Sequence, residues 1–270
     1  MMYHEIGDHI FNNNYEYNIK PNEDDYVLCY GSRNVLLIGD TIPTYKEAML
    51  SDHNYIYAFS IDDKKYFLCL DSVITETPIQ IFRTIKPLYL SLAIITGYHL
   101  FNWYNKNKYC GACGKKTFIS TTVRALECEC GNQIFPTIAP AVIVGLIHND
   151  RILLTKYQTG YNNLALVAGY NEIGETLEQT VVREVLEEVG LHVNKVKYFK
   201  NQPWGLSGTN LVGFWATVSD SDDTPILQES ELSFGKWFKK DEIDLETSNT
   251  SLTREMILYF KNNEVEIWCV

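Results

Sequence analysis

A helix with two chemically different faces is encoded between Thr176 and Gly190, and it restricts the fold of this chain more than any other feature. Thr176 can cap the helix, because Gln179 three residues later completes a capping box. Gly190 suits the left-handed turn that ends many helices. The residues able to face a core are Leu177, Val181, Val182, Val185 and Val189. The sequence therefore predicts a helix from Thr176 to Val189 that packs against a larger structure.

The other face of this helix is acidic. Glu184, Glu187 and Glu188 stand at positions i, i+3 and i+4, so their side chains share one face. Like charges at this spacing repel, and Arg183 is the only basic residue nearby. A solvent-exposed acidic helix is one interpretation. The other is a site for Mg²⁺ or Mn²⁺, which prefer hard oxygen ligands and often bind substrate phosphate as well.

A second candidate metal site is a cluster of cysteines. The chain has seven Cys, and four of them fall within 21 residues: Cys110, Cys113, Cys128 and Cys130. Two Cys pairs on two short turns can supply four thiolates to a tetrahedral Zn²⁺. Such a site has no open position for substrate, so its zinc would be structural. The second pair is C-x-C, a tighter spacing than C-x-x-C, and a site that has lost its metal or a redox pair are the alternatives.

Composition limits the class of protein. The chain has 270 residues, enough for two domains, and 46% are apolar. The net charge is −11, and a basic stripe typical of nucleic-acid binding is not evident, so a long nucleic acid is not expected as a partner.

The longest apolar stretch, 88–100, is too short and too polar to span a bilayer. The first residues do not resemble a signal peptide, and an odd Cys count argues against disulfides. We expect a cytoplasmic protein without a membrane segment.

The hydrophobic pattern also predicts the order of elements. Residues 1–75 are rich in strand patterns, with one hairpin of 26–30 and 35–38 and another of 55–59 and 66–70. Helical spacing extends from Leu88 to Asn105. The remaining predicted elements are a hairpin of 142–147 and 151–154, a strand at 211–216 and a helix from Leu252 to Lys261.

The segment from Gly169 to Leu191 matches the pattern G-x5-E-x7-R-E-U-x-E-E-x-G-U, with U aliphatic, at every defined position. It resembles the signature of the Nudix hydrolase family, whose members hydrolyse a nucleoside diphosphate linked to another group. The resemblance implies an α/β/α sandwich with a mixed sheet. It also implies that the three glutamates of the acidic face hold the divalent ions.

The same resemblance implies roles for neighbouring residues. The carbonyl of Ala168 would contribute to the metal site, Arg183 would orient the carboxylates, and Glu175 would pair within the loop. A further metal-binding carboxylate is expected at Glu231, with Glu229 as the alternative.

The wider arrangement is similar to the NADH pyrophosphatase group of that family. It implies a β-rich N-terminal domain ending in a linking helix (1–107), a zinc ribbon (108–138) and a Nudix domain (139–270). The segment 135–140 resembles the joint between ribbon and Nudix domain. Gln202-Pro203-Trp204 matches the core of a downstream motif of the group, whereas Gly205-Leu206-Ser207 replaces its Pro-Phe-Pro. That departure predicts a more mobile loop and weakens the expectation of a strict preference for NADH.

The resemblance also implies a set of substrate contacts. Aromatic residues around a base are expected at Phe135 and Tyr170, although ordinary packing would also explain them. The other implied substrate-binding residues are Gln202, Trp204, Thr209 and Thr253.

The activity implied is metal-dependent hydrolysis of NAD(H) to AMP and nicotinamide mononucleotide, with Glu187, Glu188 or Glu231 as the base. The alternatives are hydrolysis of ADP-ribose or another dinucleotide, hydrolysis of NAD-capped RNA, which needs only a capped end, and a non-catalytic nucleotide sensor. A homodimer is expected from the same resemblance.

Overall fold

A computed structural model describes residues 2–160, 163–218, 223–244 and 251–265. The chain divides into two compact units. One contains residues 3–138 together with Gly205–Gly208, and the other contains residues 139–204 and the described residues from 209 onward. The separation of 1–107 from 108–138 as two domains stays a prediction.

The first unit begins with short strands around an antiparallel hairpin. The strands are β1 (Phe11–Asn12), β2 (Tyr26–Leu28), β3 (Asn34–Val35), β4 (Tyr55–Ile61), β5 (Lys64–Cys69) and β6 (Thr77–Pro78). One sheet has the order β1-β4-β5-β2, and β3 pairs with β6. The predicted hairpin of β4 and β5 is confirmed, with Asp62 in its turn at a φ of 52°. A one-turn helix, α1 (Tyr45–Ala48), was not anticipated from the sequence.

The predicted hairpin of 26–30 and 35–38 is confirmed only next to its turn. There, an antiparallel bridge joins Tyr30 to Val35, and Leu36 N donates to the Cys29 carbonyl at 2.9 Å. Farther from the turn the prediction is wrong, because β2 runs parallel to β5, with Tyr26 opposite Tyr66. Local turn residues favoured a hairpin, but the apolar strand β2 is better buried beside the equally apolar β5.

The predicted helix after these strands is confirmed as α2 (Leu88–Lys106). Most of its residues are buried, so it is a core helix rather than a surface one. Gly97 allows a close approach, because a Cβ there would lie 2.4 Å from the Tyr30 hydroxyl oxygen. Tyr30 is fully buried and donates to the Ile94 carbonyl at 2.7 Å. The helix therefore packs directly on the strand region that precedes it.

A small antiparallel sheet follows α2 and carries the cysteine cluster. Its strands are β7 (Phe118–Ile119), β8 (Leu126–Glu127) and β9 (Gln133–Ile134), in the order β7-β8-β9. The Cys turns lie before β7 and between β8 and β9, where two tight turns can face each other.

The second unit is built on a mixed sheet. Its elements are β10 (Ala139–His148), β11 (Arg151–Tyr157), β12 (Val167–Tyr170), α3 (Leu177–Val189), β13 (Val193–Trp204), β14 (Thr209–Val218), β15 (Leu232–Lys239) and α4 (Leu252–Asn262). The sheet order is β13-β14-β10-β11-β15, and β12 pairs with β10. β10 and β14 are parallel, whereas the other pairs are antiparallel.

Alternation along β10 places one helix on each face of this sheet. Val142, Val144 and Leu146 pack in the same cluster as Val181 and its neighbours on α3. The intervening Ile143 and Ile147 pack on the opposite face with residues of α4. The unit is therefore the α/β/α sandwich with a mixed sheet that the sequence predicted.

Among the described residues, no helix combines the length and the apolar character needed to cross a membrane.

Candidate active site

The acidic helix begins and ends where the sequence predicts. Thr176 is its N-cap, its hydroxyl accepts from the Gln179 backbone N–H, and the Gln179 side chain accepts from the Thr176 N–H. Gly190 ends the helix at a φ of 68°. Val182, however, is 44% exposed, so its predicted place in the core is wrong. It lies on the face of α3 that points away from the core, where its side chain stays partly exposed.

Arg183 connects the acidic residues of the loop and the helix. Its Nε and Nη2 donate to the two carboxylate oxygens of Glu175 at 2.7 and 3.0 Å. Its Nη1 donates to Glu184 at 2.6 Å and to Glu187 at 3.1 Å. Its Nη2 also donates to the Tyr170 carbonyl at 2.9 Å. One guanidinium thus holds three carboxylates and the backbone before the loop, as its planar set of donors allows.

The network around Glu175 includes two residues that sequence reasoning missed. The hydrogen bonds from Arg183 hold the pKa of Glu175 at about 2, so its carboxylate stays charged. The Thr180 hydroxyl donates to Glu175 at 2.9 Å, and the Asn171 side-chain amide donates to Thr180 at 2.8 Å. A buried threonine in the middle of a helix was the available signal.

Glu184 lies against the backbone of β12. A Cβ on Gly169 would lie 2.0 Å from the Glu184 carboxyl carbon, so any side chain at this position would displace the carboxylate. Burial raises the pKa of Glu184, and the hydrogen bond from Arg183 opposes that rise. Gly169, the first residue of the signature, therefore leaves the space that the Glu184 carboxylate occupies.

Glu188 is the most buried carboxylate of the set, with 1% of its surface exposed. Within the part of the chain that the structure describes, its Oε2 has no hydrogen-bond partner. Burial raises its pKa to about 8, and the charges of Glu184 and Glu231 act in the same direction, while a backbone hydrogen bond with Ala168 opposes them. A buried carboxylate oxygen without a donor, in the field of further carboxylates, would be stabilised by a cation.

A loop before β15 carries Glu231, the predicted fourth carboxylate. The loop is attached to the end of α3, because Gln228 N donates to the Glu188 carbonyl and Ile226 N to the Val189 carbonyl, both at 2.9 Å. The charge of Glu231 raises the pKa of both Glu184 and Glu188, so the three carboxylates interact electrostatically. The carbonyl of Glu229 instead accepts from the Gln158 side chain at 2.9 Å.

The four ribbon cysteines meet in one cluster whose sulfur atoms all lie within 4.8 Å of one another. Cys110 and Cys130 are 3.7 Å apart, and Cys113 and Cys128 are 3.4 Å apart. Four thiolates at the usual Zn–S distance would lie about 3.8 Å apart. Asn132 donates to Cys110 at 3.4 Å, and this contact lowers the pKa of Cys110 to about 6. The C-x-C pair therefore completes a four-sulfur cluster with the spacing of a single metal site.

The residues predicted to bind substrate do not all belong to the same unit. Tyr170 is 54% exposed, and its hydroxyl lies 3.4 Å from the hydroxyl of the buried Thr209. Trp204 at the end of β13 and Thr253 in the first turn of α4 are half-buried in the same unit. Phe135, also 54% exposed, belongs to the other unit, where its carbonyl accepts from the Trp103 indole.

Gln202 has a structural contact that the sequence did not indicate. It is fully buried, and its Oε1 accepts from the Leu252 backbone N–H at 2.7 Å. This N–H belongs to the first turn of α4, whose leading amides have no partner within the helix. Gln202-Pro203-Trp204 also lies in β13 and not in a loop, because β13 continues to Trp204.

The segment that departs from the expected motif forms the turn between β13 and β14. A Cβ on Gly205 would lie 2.4 Å from the Ile95 carbonyl oxygen, and Gly208 has a φ of 73°. The sequence predicted a more mobile loop because glycine is flexible. The structure gives a different reason for each glycine: close packing requires Gly205, and a left-handed backbone favours Gly208.

Comparison with known proteins finds the NUDIX domain over residues 137–260. The curated relatives include the NAD-capped RNA hydrolase NudC of Haemophilus influenzae strain PittEE, 36% identical over 54% of this chain and 56% of that protein. They also include the NAD-capped RNA hydrolase NudC of Escherichia coli O9:H4 strain HS, 36% identical over 60% of this chain and 63% of that protein. The match thus spans little more than half the length of these relatives.

Among solved structures, a NUDIX hydrolase from Nitrosomonas europaea is 22% identical, with a TM-score of 0.48, over 57% of this chain and 90% of that chain. The domain match covers the whole signature from Gly169 to Leu191, together with β10 and most of α4. Residues 137–260 of this chain, which contain that signature, are therefore similar to the NUDIX domain.

Proposed function

We propose that this protein hydrolyses the pyrophosphate bond of NAD(H) to AMP and nicotinamide mononucleotide in a reaction that depends on divalent metal ions. The observation that carries the proposal is the buried Glu188, whose Oε2 lacks a partner and whose neighbours are the carboxylates of Glu184 and Glu231. A cluster of this charge is unfavourable by itself and becomes favourable around a cation.

The donor set fits Mg²⁺ or Mn²⁺. Its members are carboxylate oxygens, which these hard ions prefer over nitrogen or sulfur. Glu184, Glu187, Glu188 and Glu231 would hold the ions, with the backbone of Ala168 beside Glu188. When bound, divalent cations neutralise the charge of a pyrophosphate and make water more acidic.

The chain's own residues would perform the remaining tasks. Arg183 holds Glu184 and Glu187 in place through hydrogen bonds of 2.6 and 3.1 Å, so these carboxylates need no reorganisation when substrate binds. Glu187 is half exposed and accepts from Arg183, so it can also take a proton from water. Glu188 and Glu231 are the alternative bases.

The substrate side of the proposal rests on exposed aromatic and hydroxyl groups. Tyr170, directly after Gly169, offers an exposed ring on which a base can stack. Thr209 and Thr253 could contact substrate from β14 and α4, and Phe135 and Trp204 are the other candidates for stacking.

A second substrate, NAD-capped RNA, is favoured by the similarity to the NAD-capped RNA hydrolases of Haemophilus influenzae and Escherichia coli. The same bond is cleaved in both cases, so the carboxylate cluster serves either substrate. ADP-ribose and other dinucleotides are the remaining candidates.

We further propose that the cysteine cluster holds a structural Zn²⁺, and that the protein acts as a cytoplasmic homodimer. The free cysteines of the described residues are consistent with a reducing compartment. Metal analysis and light scattering of the purified protein test zinc content and oligomeric state.

The central test is a substrate panel read by AMP release. NADH, NAD, ADP-ribose, diadenosine compounds and NAD-capped RNA are compared with Mg²⁺ and with Mn²⁺. We expect Glu184→Gln and Glu188→Gln to abolish release, and Val182→Ala on the same helix to retain it. Near-normal rates in both glutamine variants would overturn the site, and no metal-dependent release from any substrate would favour a nucleotide sensor.

A further inference from the structure

Although the net charge of the chain is −11, one long segment contains no acidic residues. Residues 77–126 contain seven Lys and Arg and no Asp or Glu, in a chain that has 34 acidic residues. The seven are Arg83, Lys86, Lys106, Lys108, Lys115, Lys116 and Arg124. Such a segregation of charge is a physical signal for an anionic partner even when the whole chain is acidic.

Part of this positive charge surrounds an apolar cavity beside the ribbon. Lys108 and Lys116 both line a cavity of about 130 Å³, together with Tyr104 and Phe118. The segments that carry the two lysines lie side by side, because Thr117 N donates to the Lys108 carbonyl at 3.0 Å. We call Lys108, Lys116 and Phe118 the ribbon face. Lys106 and Tyr109 adjoin it along the chain.

The lysines of the ribbon face are exposed. Within the described residues, no ion pair involves Lys106, Lys108 or Lys116, whereas Lys115 pairs with Glu129 at 3.2 Å. The first acidic residue after the segment, Glu127, stands opposite Phe118 and accepts from the Gln133 side chain at 3.2 Å. Positive charge therefore remains available on this face.

Two aromatic rings accompany these lysines at the surface. Tyr109 is 67% exposed and Phe118 is 48% exposed. Tyr109 is paired through its backbone with Lys116. Exposed rings next to unpaired lysines are the combination that binds single-stranded nucleic acid, since the rings stack on bases and the ammonium groups contact phosphates.

We propose that the ribbon face binds the phosphodiester chain of single-stranded RNA, with phosphates on Lys108 and Lys116 and a base on Phe118. The inference rests on the proposed function, because among its candidate substrates an NAD-capped RNA carries a chain of phosphates beyond the dinucleotide. Lysine contacts phosphate as a point charge, so this binding is independent of base sequence.

The test is binding of a short, uncapped, labelled single-stranded RNA to the full-length protein, measured by fluorescence anisotropy over a range of salt concentrations. Lys108→Gln/Lys116→Gln should weaken binding and reduce the slope of log K against log salt by about 1.4, because each phosphate contact on a single strand contributes about 0.7. Lys20→Gln/Lys64→Gln changes the net charge equally at exposed lysines elsewhere and should bind like wild type.

Phe118→Ser tests the stacking contact separately. It should weaken binding about fivefold or more without changing the salt slope, since no phosphate contact is lost. Melting temperatures of all variants establish that they fold. In the hydrolysis assay, the lysine pair should raise KM for NAD-capped RNA and leave NADH hydrolysis unchanged.

The outcomes separate this inference from the proposed function. Absence of RNA binding by wild type, or an equal loss in both lysine pairs, overturns the ribbon face while NADH hydrolysis still supports the enzyme. Loss of RNA binding only in Lys108→Gln/Lys116→Gln supports the ribbon face even if no dinucleotide is hydrolysed.

Discussion

Gly169 and Glu184 are in such close contact that a Cβ on Gly169 would lie 2.0 Å from the Glu184 carboxyl carbon. Atoms that are not bonded cannot approach so closely, so any side chain at 169 must move the carboxylate. Glu184 also accepts from Arg183 at 2.6 Å, and its displacement would break that charged hydrogen bond. The glycine is therefore required by the space next to a carboxylate.

Gly169→Ala should lower kcat/KM for AMP release by about 10²-fold, because a displacement of about 1 Å in a catalytic group has an effect of that size. The matched control is Val182→Ala, which changes an exposed side chain on α3 and should retain activity. Wild-type activity in Gly169→Ala would show that Glu184 is not needed at its present position.

Glu188→Gln should abolish stabilisation of the protein by Mg²⁺. A ligand that binds only the folded state raises the free energy of unfolding, by about 2.7 kcal/mol at a hundredfold excess over Kd. Without metal, the glutamine variant should be at least as stable as wild type, because a neutral amide replaces a buried carboxylate with an unpaired oxygen. Thermal melts with and without Mg²⁺ measure both effects. An equal Mg²⁺-dependent shift in the two proteins would contradict the assignment.

Arg183→Lys keeps the positive charge but loses the planar set of donors. Lysine cannot bind both oxygens of Glu175 and also reach Glu184 and the Tyr170 carbonyl. We expect kcat to fall by about 10 to 100-fold, as for other residues that orient metal ligands. The Mg²⁺ concentration needed for half-maximal rate should rise as well. A variant with unchanged kcat and metal requirement would mean that charge alone is sufficient at this position.

The purified protein should contain about one zinc per chain. Cys130→Ser should reduce the zinc content and the melting temperature, since structural zinc contributes directly to folding stability. Cys29→Ala, at a buried cysteine outside the four-sulfur cluster, should leave the zinc content unchanged. Elemental analysis together with thermal melts checks the prediction, and a metal-free wild type that is equally stable would refute it.

Gln202→Ala should destabilise the folded protein by about 1–3 kcal/mol, because it leaves the buried Leu252 N–H without its acceptor. Chemical denaturation measures the change. Asn201→Ala, at the exposed neighbouring position, is the control and should have little effect. Should the alanine variant at 202 instead keep full stability and lose only substrate binding, Gln202 would be a substrate contact rather than an anchor of α4.

Patterns that depend on near neighbours in the chain were predictable. The cap residues Thr176 and Gln179 define the start of α3, and the spacing of Glu184, Glu187 and Glu188 defines its acidic face, because both depend on helical geometry alone. The hairpin of β4 and β5 was predictable for the same reason. β2 was not, because its partner β5 lies about forty residues away and its turn signals favoured a nearer strand.

The amino-acid sequence by itself determined the acidic helix, the four cysteines at metal-ligand spacing and the hairpin of β10 and β11. Tertiary structure decided the surroundings of these groups: the burial of Glu188, the contact of Glu184 with Gly169, the approach of Glu231 and the hydrogen bond that places Gln202 in the interior. It also gathered Lys108, Lys116 and Phe118 around one cavity. The physical reason is that charge and periodicity are local properties, whereas desolvation and close contact depend on residues far apart in the chain.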